Sequence, residues 1–263
     1  MATFDHDGFL HGEIESWVMR TRVTHQEIIS VAEEANRLFH DFLSGRDANT
    51  HGPKAFVESL LFARMLELLQ AVVILTTRGM TGSSSVVFRS FIEAHFHFDA
   101  ILKSDKYLDE YIDNWNAQRL RIGKAIAGTK GKDLEELRRI VSKEKLEELK
   151  RLDDESASVP SSVRRVAELG DNDGTYHTAY ALLCNEAHVN SWALESYLSD
   201  DSSGSRSIRY GPNDSEIVRQ IGLATHTLLD AYEALAGLFD EKVTEDKYRL
   251  SEKVEKLLET KRD

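Results

Sequence analysis

Only three prolines interrupt the 263 residues, and the long segments between them carry apolar side chains at three- and four-residue spacing. Such a chain buries its apolar side chains most simply as helices. β-Branched residues are dispersed, while Ala, Leu, Glu, Lys and Arg fill the periodic stretches, which reinforces the helical reading. The expected fold is all-α: a single-domain antiparallel helical bundle of about eight helices with a charged C-terminal helix. No repeat period and no long linker divides the chain, so 1–263 reads as one domain with a core over about 24–240.

The element boundaries follow from caps and breakers. Thr24 reads as an N-cap with Glu27 three residues on, and Ile28, Val31, Ala35, Leu38, Phe39 and Phe42 trace one face up to Gly45. Pro53 suits the first turn of a second helix, whose apolar face runs through Phe56, Leu60, Ala63, Leu66, Ala71 and Ile74 to a stop at Gly79. The short connection to Thr81 makes a third helix, ending near Lys103, pack antiparallel on the second. Further helices are expected over Asp105–Ala127, Asp133–Leu152, Val163–Leu169 and Thr175–Leu198. A last core helix, capped by Asp214 or Ser215, runs to about Phe239. Residues 241–263 read as a charged helix or tail that docks on the core, frays, or pairs two chains.

Composition narrows the function classes. With 33 Lys plus Arg against 45 Asp plus Glu, the net charge is -12, the reverse of a duplex-binding footprint. Nucleic acid is therefore disfavoured except through the local basic stretch Arg119–Lys132, which holds Arg121, Lys124 and Lys130 and no acid. Lone Cys184 excludes an internal disulfide and every multi-cysteine metal arrangement. The start, Met-Ala-Thr-Phe-Asp-His-Asp, lacks the cationic and apolar regions of a signal peptide, so cytoplasm is the expected compartment. The most apolar run, Leu60–Leu75, is broken by Arg64, Glu67 and Gln70 and falls short of the ~20 apolar residues of a membrane span. A buried core helix is expected there, and no membrane partner.

Two polar clusters stand out. Arg89, Glu93 and His97 are spaced four apart, so they drift only about 40° per step and form one helical stripe. An exposed Arg-to-Glu pair in this order is worth a few tenths of a kcal/mol. The flanking Phe88, Phe91, Ile92, Phe96 and Phe98 instead turn the stripe toward protein, where the pair either staples neighbouring helices or lines a pocket. In the second cluster Tyr176, Tyr180, Cys184 and His188 follow at four-residue steps, with Trp192 and Glu195 continuing the stripe.

Arg89-Ser90-Phe91-Ile92-Glu93 after a Gly-terminated helix, together with Tyr180-Ala-Leu-Leu-Cys-Asn-Glu-Ala-His188, resembles an all-helical bacterial family of unknown function, over roughly Ala55–Leu238. The resemblance implies that Arg89, Glu93, Tyr180 and His188 converge in space, with Cys184 where the family often has Ser. It brings no established activity. On this reading the four residues form an anion-binding polar pocket, in which the planar fork of Arg89 holds a small anionic ligand beside Glu93 and His188 moves a proton.

Metal and cofactor signals are weak. A di-iron bundle needs Glu-x-x-His on two helices, and neither Glu93 nor Glu186 has a His three residues later. Glu93, His97 and His188 offer at most a facial triad, so no metal or cofactor is expected. The chain also resembles the HEPN group of metal-independent helical ribonucleases, found in defence and toxin systems, which use an R-x4-6-H motif. It has Arg20 to His25, Arg46 to His51, Arg89 to His95 and Arg219 to His226, whereas chance alone supplies about two such pairs. Arg219 and His226 lie within about 20° of each other on one helix, which makes them the better pair for catalysis at a homodimer interface. A third reading has no chemistry: an interaction scaffold built on the tail and the Asp133–Leu152 rod.

Overall fold

A computed structural model describes residues 7–129, 135–154, 162–188, 191–195, 197–200, 206–208 and 210–260. The chain is all-α. Its helices are α1 (Ile14–Thr24), α2 (Gln26–Leu43), α3 (Gly52–Thr77), α4 (Thr81–Lys103), α5 (Asp105–Gly128), α6 (Glu135–Ile140), α7 (Lys143–Asp154) and α8 (Val163–Leu169). Asp173–Thr175, the π turn Tyr176–Tyr180 and Ala181–Ala187 follow without a break and are taken together as α9. Then come α10 (Ser191–Glu195), a small antiparallel hairpin of β1 (Leu198–Asp200) and β2 (Arg206–Ile208), α11 (Ile217–Leu238) and α12 (Glu245–Glu259).

The helix α3 is the centre of the bundle, with α4 and α11 packed along it. Phe39, Phe62, Phe88, Phe91, Phe96, Phe98, Met65 and Leu69 are fully buried and join into one core. Pro53 sits in the first turn of α3, where its missing N–H has no helical partner to lose. Gly79 ends the helix in the left-handed region, φ +75°, and a Cβ there would come within 2.5 Å of Pro212. The α3–α4 turn is thereby clamped to the approach of α11. Asn213 N–H donates to the Gly79 carbonyl at 3.0 Å, and Thr81 Oγ1 donates to the Asn213 carbonyl at 2.9 Å.

Several expectations change. The extra helix α1 precedes the first expected one, and the break falls at His25, so Thr24 closes α1 instead of capping α2. Asp214 does not cap α11 either: its carboxylate meets His25 Nε2 at 3.1 Å, and the N-cap is Glu216 with no side-chain bond. The Asp133–Leu152 rod is two helices, α6 and α7, in its described part. The expected helix Thr175–Leu198 ends at His188 and gives way to α10 and β1. These breaks are why the bundle has more than the eight helices expected.

The largest correction concerns α3. Phe56, Leu60 and Ile74, placed on its core-facing side by their spacing, are 38%, 57% and 57% exposed, and Ala63 is exposed with them. The buried side is carried by Leu61, Phe62, Met65, Leu66, Leu68, Leu69 and Val72. A helix apolar nearly all round offers no unique face to a periodicity argument. This helix is long and apolar enough to cross a membrane by length and composition, yet half of its most apolar window is buried inside the protein. The tail helix α12 docks: Leu250 and Val254 are buried, and Leu258 lies over Gly222, where a Cβ would come within 2.7 Å of it.

Candidate functional site

The helices α4 and α9 run antiparallel in contact, and the two polar clusters of the sequence meet between them. Arg89 Nη2 donates to Glu93 Oε1 at 2.7 Å and to the Tyr180 hydroxyl at 2.7 Å, while Arg89 Nε donates to Cys184 Sγ at 3.3 Å. The Tyr180 hydroxyl donates in turn to Glu93 Oε1. The guanidinium also lies 5.1 Å from the centre of the Tyr180 ring. Arg89, Glu93, Tyr180 and Cys184 thus form one clasp across two helices, about ninety residues apart in sequence.

The local sequence explains the geometry. The four-residue spacing of Arg89 and Glu93 stacks them on one face of α4, and the phenylalanines beside them bury the rest of the turn. On α9 the π turn accommodates an extra residue per turn and brings Tyr176 over Tyr180, their rings stacked at 5.4 Å and 20°. Phe96 supports Tyr180 from below, with ring centres 5.7 Å apart. Burial, and then the bond to Glu93, push the Tyr180 phenol well above its ordinary pKa, so it stays a neutral donor. Burial pulls the Arg89 pKa down, but its bonds to Cys184 and Tyr180 and the charge of Glu93 outweigh that, and it ends above the usual arginine value.

His188 stands apart. It closes α9 as an exposed C-cap, its N–H bonded to the Cys184 carbonyl at 3.0 Å, and its ring makes no hydrogen bond or ion pair among the described residues. The structure therefore joins Arg89, Glu93 and Tyr180 directly and leaves His188 one turn beyond Cys184. His97 belongs elsewhere: its Nδ1 meets the Tyr107 hydroxyl at 2.8 Å, and burial lowers its pKa. No metal-holding group of three or more His, Cys, Asp or Glu occurs among the described residues.

The second pair is not brought together. Arg219 Nε donates to Glu216 at 2.5 Å, and His226 lies 3.1 Å from Glu255 and 3.4 Å from Asp230. His95, the partner suggested for Arg89, meets Asp99 at 3.3 Å instead. In the basic stretch Arg119, Arg121 and Lys124 are exposed on α5, while Lys130 and Lys132 lie outside the described residues.

One turn along α4 from Arg89 the cleft opens into a cavity of about 530 Å³. Its walls are the first turn of α4 (Thr81, Gly82, Ser83), Leu182 and Glu186 of α9, Glu216 and Arg219 at the start of α11, and the aromatic rings of Phe9, Tyr197 and Tyr210. Arg89, Glu93, Tyr180 and His188 are not in this wall. Met80, the N-cap of α4, provides no side-chain acceptor, and the first backbone bond of the helix is Ser84 N–H to the Met80 carbonyl. The N–H groups of Thr81, Gly82 and Ser83 are therefore left over by the helix. Burial, and then nearby Glu216, raise the Glu186 pKa.

Sequence reasoning missed this cavity because its wall comes from five separate segments. It also missed Glu58, sealed in the core with neither carboxyl oxygen hydrogen-bonded.

The fold and the α4–α9 clasp define an all-helical protein in which an Arg-Glu pair of one helix is locked to a tyrosine of a later one. The chain belongs to the DUF5677 family of unknown function, whose model matches residues 55–206. That range takes in Arg89, Glu93, Tyr180 and His188 and stops before α11, short of the Leu238 limit expected from the motifs. No curated protein and no solved structure matches the chain.

Proposed function

We propose that the protein binds a small organic anion in the cavity between α4, α9 and α11. The observation that carries this reading is the cavity itself: an opening of about 530 Å³ whose walls include the unsatisfied first turn of a long helix, one arginine and three aromatic rings. A helix start with free N–H groups favours negative charge, and Arg219, its Nε and Nη2 held by Glu216, lines the same cavity with Nη1 left to meet a ligand. Glu186 has no hydrogen-bond partner among the described residues and is suited to accept from a hydroxyl or amino group. Phe9, Tyr197 and Tyr210 give an apolar, ring-lined side. The chemistry matches a phosphorylated or carboxylated molecule with hydroxyl groups and a planar portion.

In this reading Arg89 is a positioning residue. Its Nε and Nη2 are engaged by Cys184, Glu93 and Tyr180, and the clasp fixes how far α9 stands from α4, which sets the width of the cavity mouth.

The test is thermal unfolding and calorimetry with inorganic phosphate and a nucleoside monophosphate. Saturable stabilisation of the native chain is expected. Ser83→Asp, which places a carboxylate at the start of α4, should abolish it while the protein stays folded. Absence of saturable binding, or undiminished binding by Ser83→Asp, overturns the proposal.

A further inference from the structure

We propose that the outward face of α3 is the contact between two copies of this chain, packed antiparallel about a two-fold axis at the level of Met65. Phe56, Leu60, Ala63, Glu67, Gln70 and Ile74 follow one another at alternating four- and three-residue steps. That spacing is a helix–helix seam, and it covers about 27 Å of helix. Phe56, Leu60 and Ile74 are 38%, 57% and 57% exposed along it. Between them Ala63 and Glu67 are exposed, while Gln70 is half-buried and turned to Asn36 and His40 of α2. The face is therefore apolar at both ends and charged in the middle. It lies on the central helix of the bundle, where exposed apolar side chains gathered on one helix mark a docking face.

The face is complementary to itself, which selects a second copy as its occupant. In an antiparallel pair centred on Met65, residues whose numbers add to about 130 lie level. Phe56 then meets Ile74 of the other copy, Leu60 meets Gln70, and Ala63 meets Glu67, each contact occurring twice. The small Ala63 leaves room for the glutamate. Arg64 comes level with Glu67 of the other copy to within one residue. Within a single chain these two form an exposed pair at 2.7 Å, with side chains 54% and 69% exposed. In the dimer each charge gains a second opposite charge in a place shielded from water. A lipid surface provides no such partner: the Arg64 and Glu67 charges in the middle of the face would have to enter hydrocarbon unpaired by anything new.

Sedimentation velocity of the full chain over about two decades of concentration tests this, and a reversible monomer–dimer equilibrium is expected. Leu60→Glu should weaken association at least about tenfold, a change of about 1.4 kcal/mol. Glu67→Arg should weaken it too, by setting four like charges together, and the double swap Arg64→Glu with Glu67→Arg should restore it. All these side chains are exposed, so circular-dichroism melting of each variant should match the parent. A monomer at every concentration overturns the proposal, as does a dimer indifferent to Leu60→Glu. A monomer that co-sediments with phosphatidylglycerol vesicles through this face also overturns it and assigns the stripe to lipid.

Discussion

On either side of α4 the protein buries charge in opposite ways. Toward α9, Arg89 and Glu93 are each other's partner, and Tyr180 and Cys184 take up further hydrogen-bonding positions. Toward α3, Glu58 is completely buried, and neither of its oxygens has a partner. Lys54, the cation whose charge acts on Glu58, is turned to Asp105 at 2.6 Å and to the Leu102 carbonyl at 3.2 Å. Glu58 is neutralised by keeping its proton: burial, and then the charge of Asp99, push its pKa up to about 9. One site answers burial with partners and the other with protonation, so one should fail on truncation and the other improve.

The largest effect is expected at the paired site. Arg89→Ala leaves the Glu93 carboxylate without its cation, with only the Tyr180 hydroxyl still donating to it. Removing one member of a buried ion pair costs about 3–5 kcal/mol. The side chains of Arg89 and Glu93 are 22% and 28% exposed, which places the loss near the lower end, about 3 kcal/mol. Urea unfolding at neutral pH measures it. Adding Glu93→Leu to Arg89→Leu should recover much of the loss, because an apolar pair leaves neither charge orphaned; no recovery would mean that the clasp is more than an ion pair.

The unpaired site should respond in the other direction. In the folded chain Glu58 holds its proton up to about pH 9, whereas the unfolded chain releases it near the ordinary glutamate value of 4.5. Between those limits the folded state carries the extra proton, so stability falls as pH rises, and the loss levels off above about 9. At pH 7 the accumulated penalty is roughly 3 kcal/mol. Glu58→Met, similar in volume and without ionisable atoms, should therefore stabilise the protein by about 2 kcal/mol at pH 7 and by more at pH 8.5, with little effect at pH 4.5. A pH-independent change would show that the carboxyl reaches water or a partner.

The paired site was legible in the sequence and the unpaired one was not. Arg89 and Glu93 announce themselves by four-residue spacing inside a phenylalanine-rich turn, and Tyr180 and Cys184 by the same spacing on a later helix. His188 shares that spacing but falls where the helix ends, and helix ends are the part of a periodic pattern least fixed by sequence. Glu58 carries no such mark. A lone carboxylate on a helix reads as solvent-facing, and only the packing of α4 and α11 around α3 shows otherwise. The same ambiguity turned the face of α3, so that of the six positions expected on its core side only Leu66 is buried: with apolar residues on every side, neighbours alone decide which stripe is covered. Helix existence was read correctly from Pro53, Gly79 and the Val163–Leu169 segment, whereas the caps at Thr24 and Asp214 were not, because His25 and Asp214 engage each other across the fold.

The smallest expected effect distinguishes the two members of the clasp that α9 and α4 contribute. Tyr180→Phe removes the hydroxyl that accepts from Arg89 and donates to Glu93, but keeps the ring that packs on Phe96 and Tyr176. Two hydrogen bonds to charged groups are lost, but Arg89 still reaches Glu93 directly, so no charge is stranded, and the net loss should lie at the lower end for such bonds, about 1.5 kcal/mol. Urea unfolding should show a lower midpoint with an unchanged slope, since the packed surface is the same. A loss as large as that of Arg89→Ala would mean that the phenol is the element holding α9 on α4. No loss would mean that the Arg89–Glu93 pair and the stacked rings are sufficient, and the hydroxyl would then be free to serve a ligand.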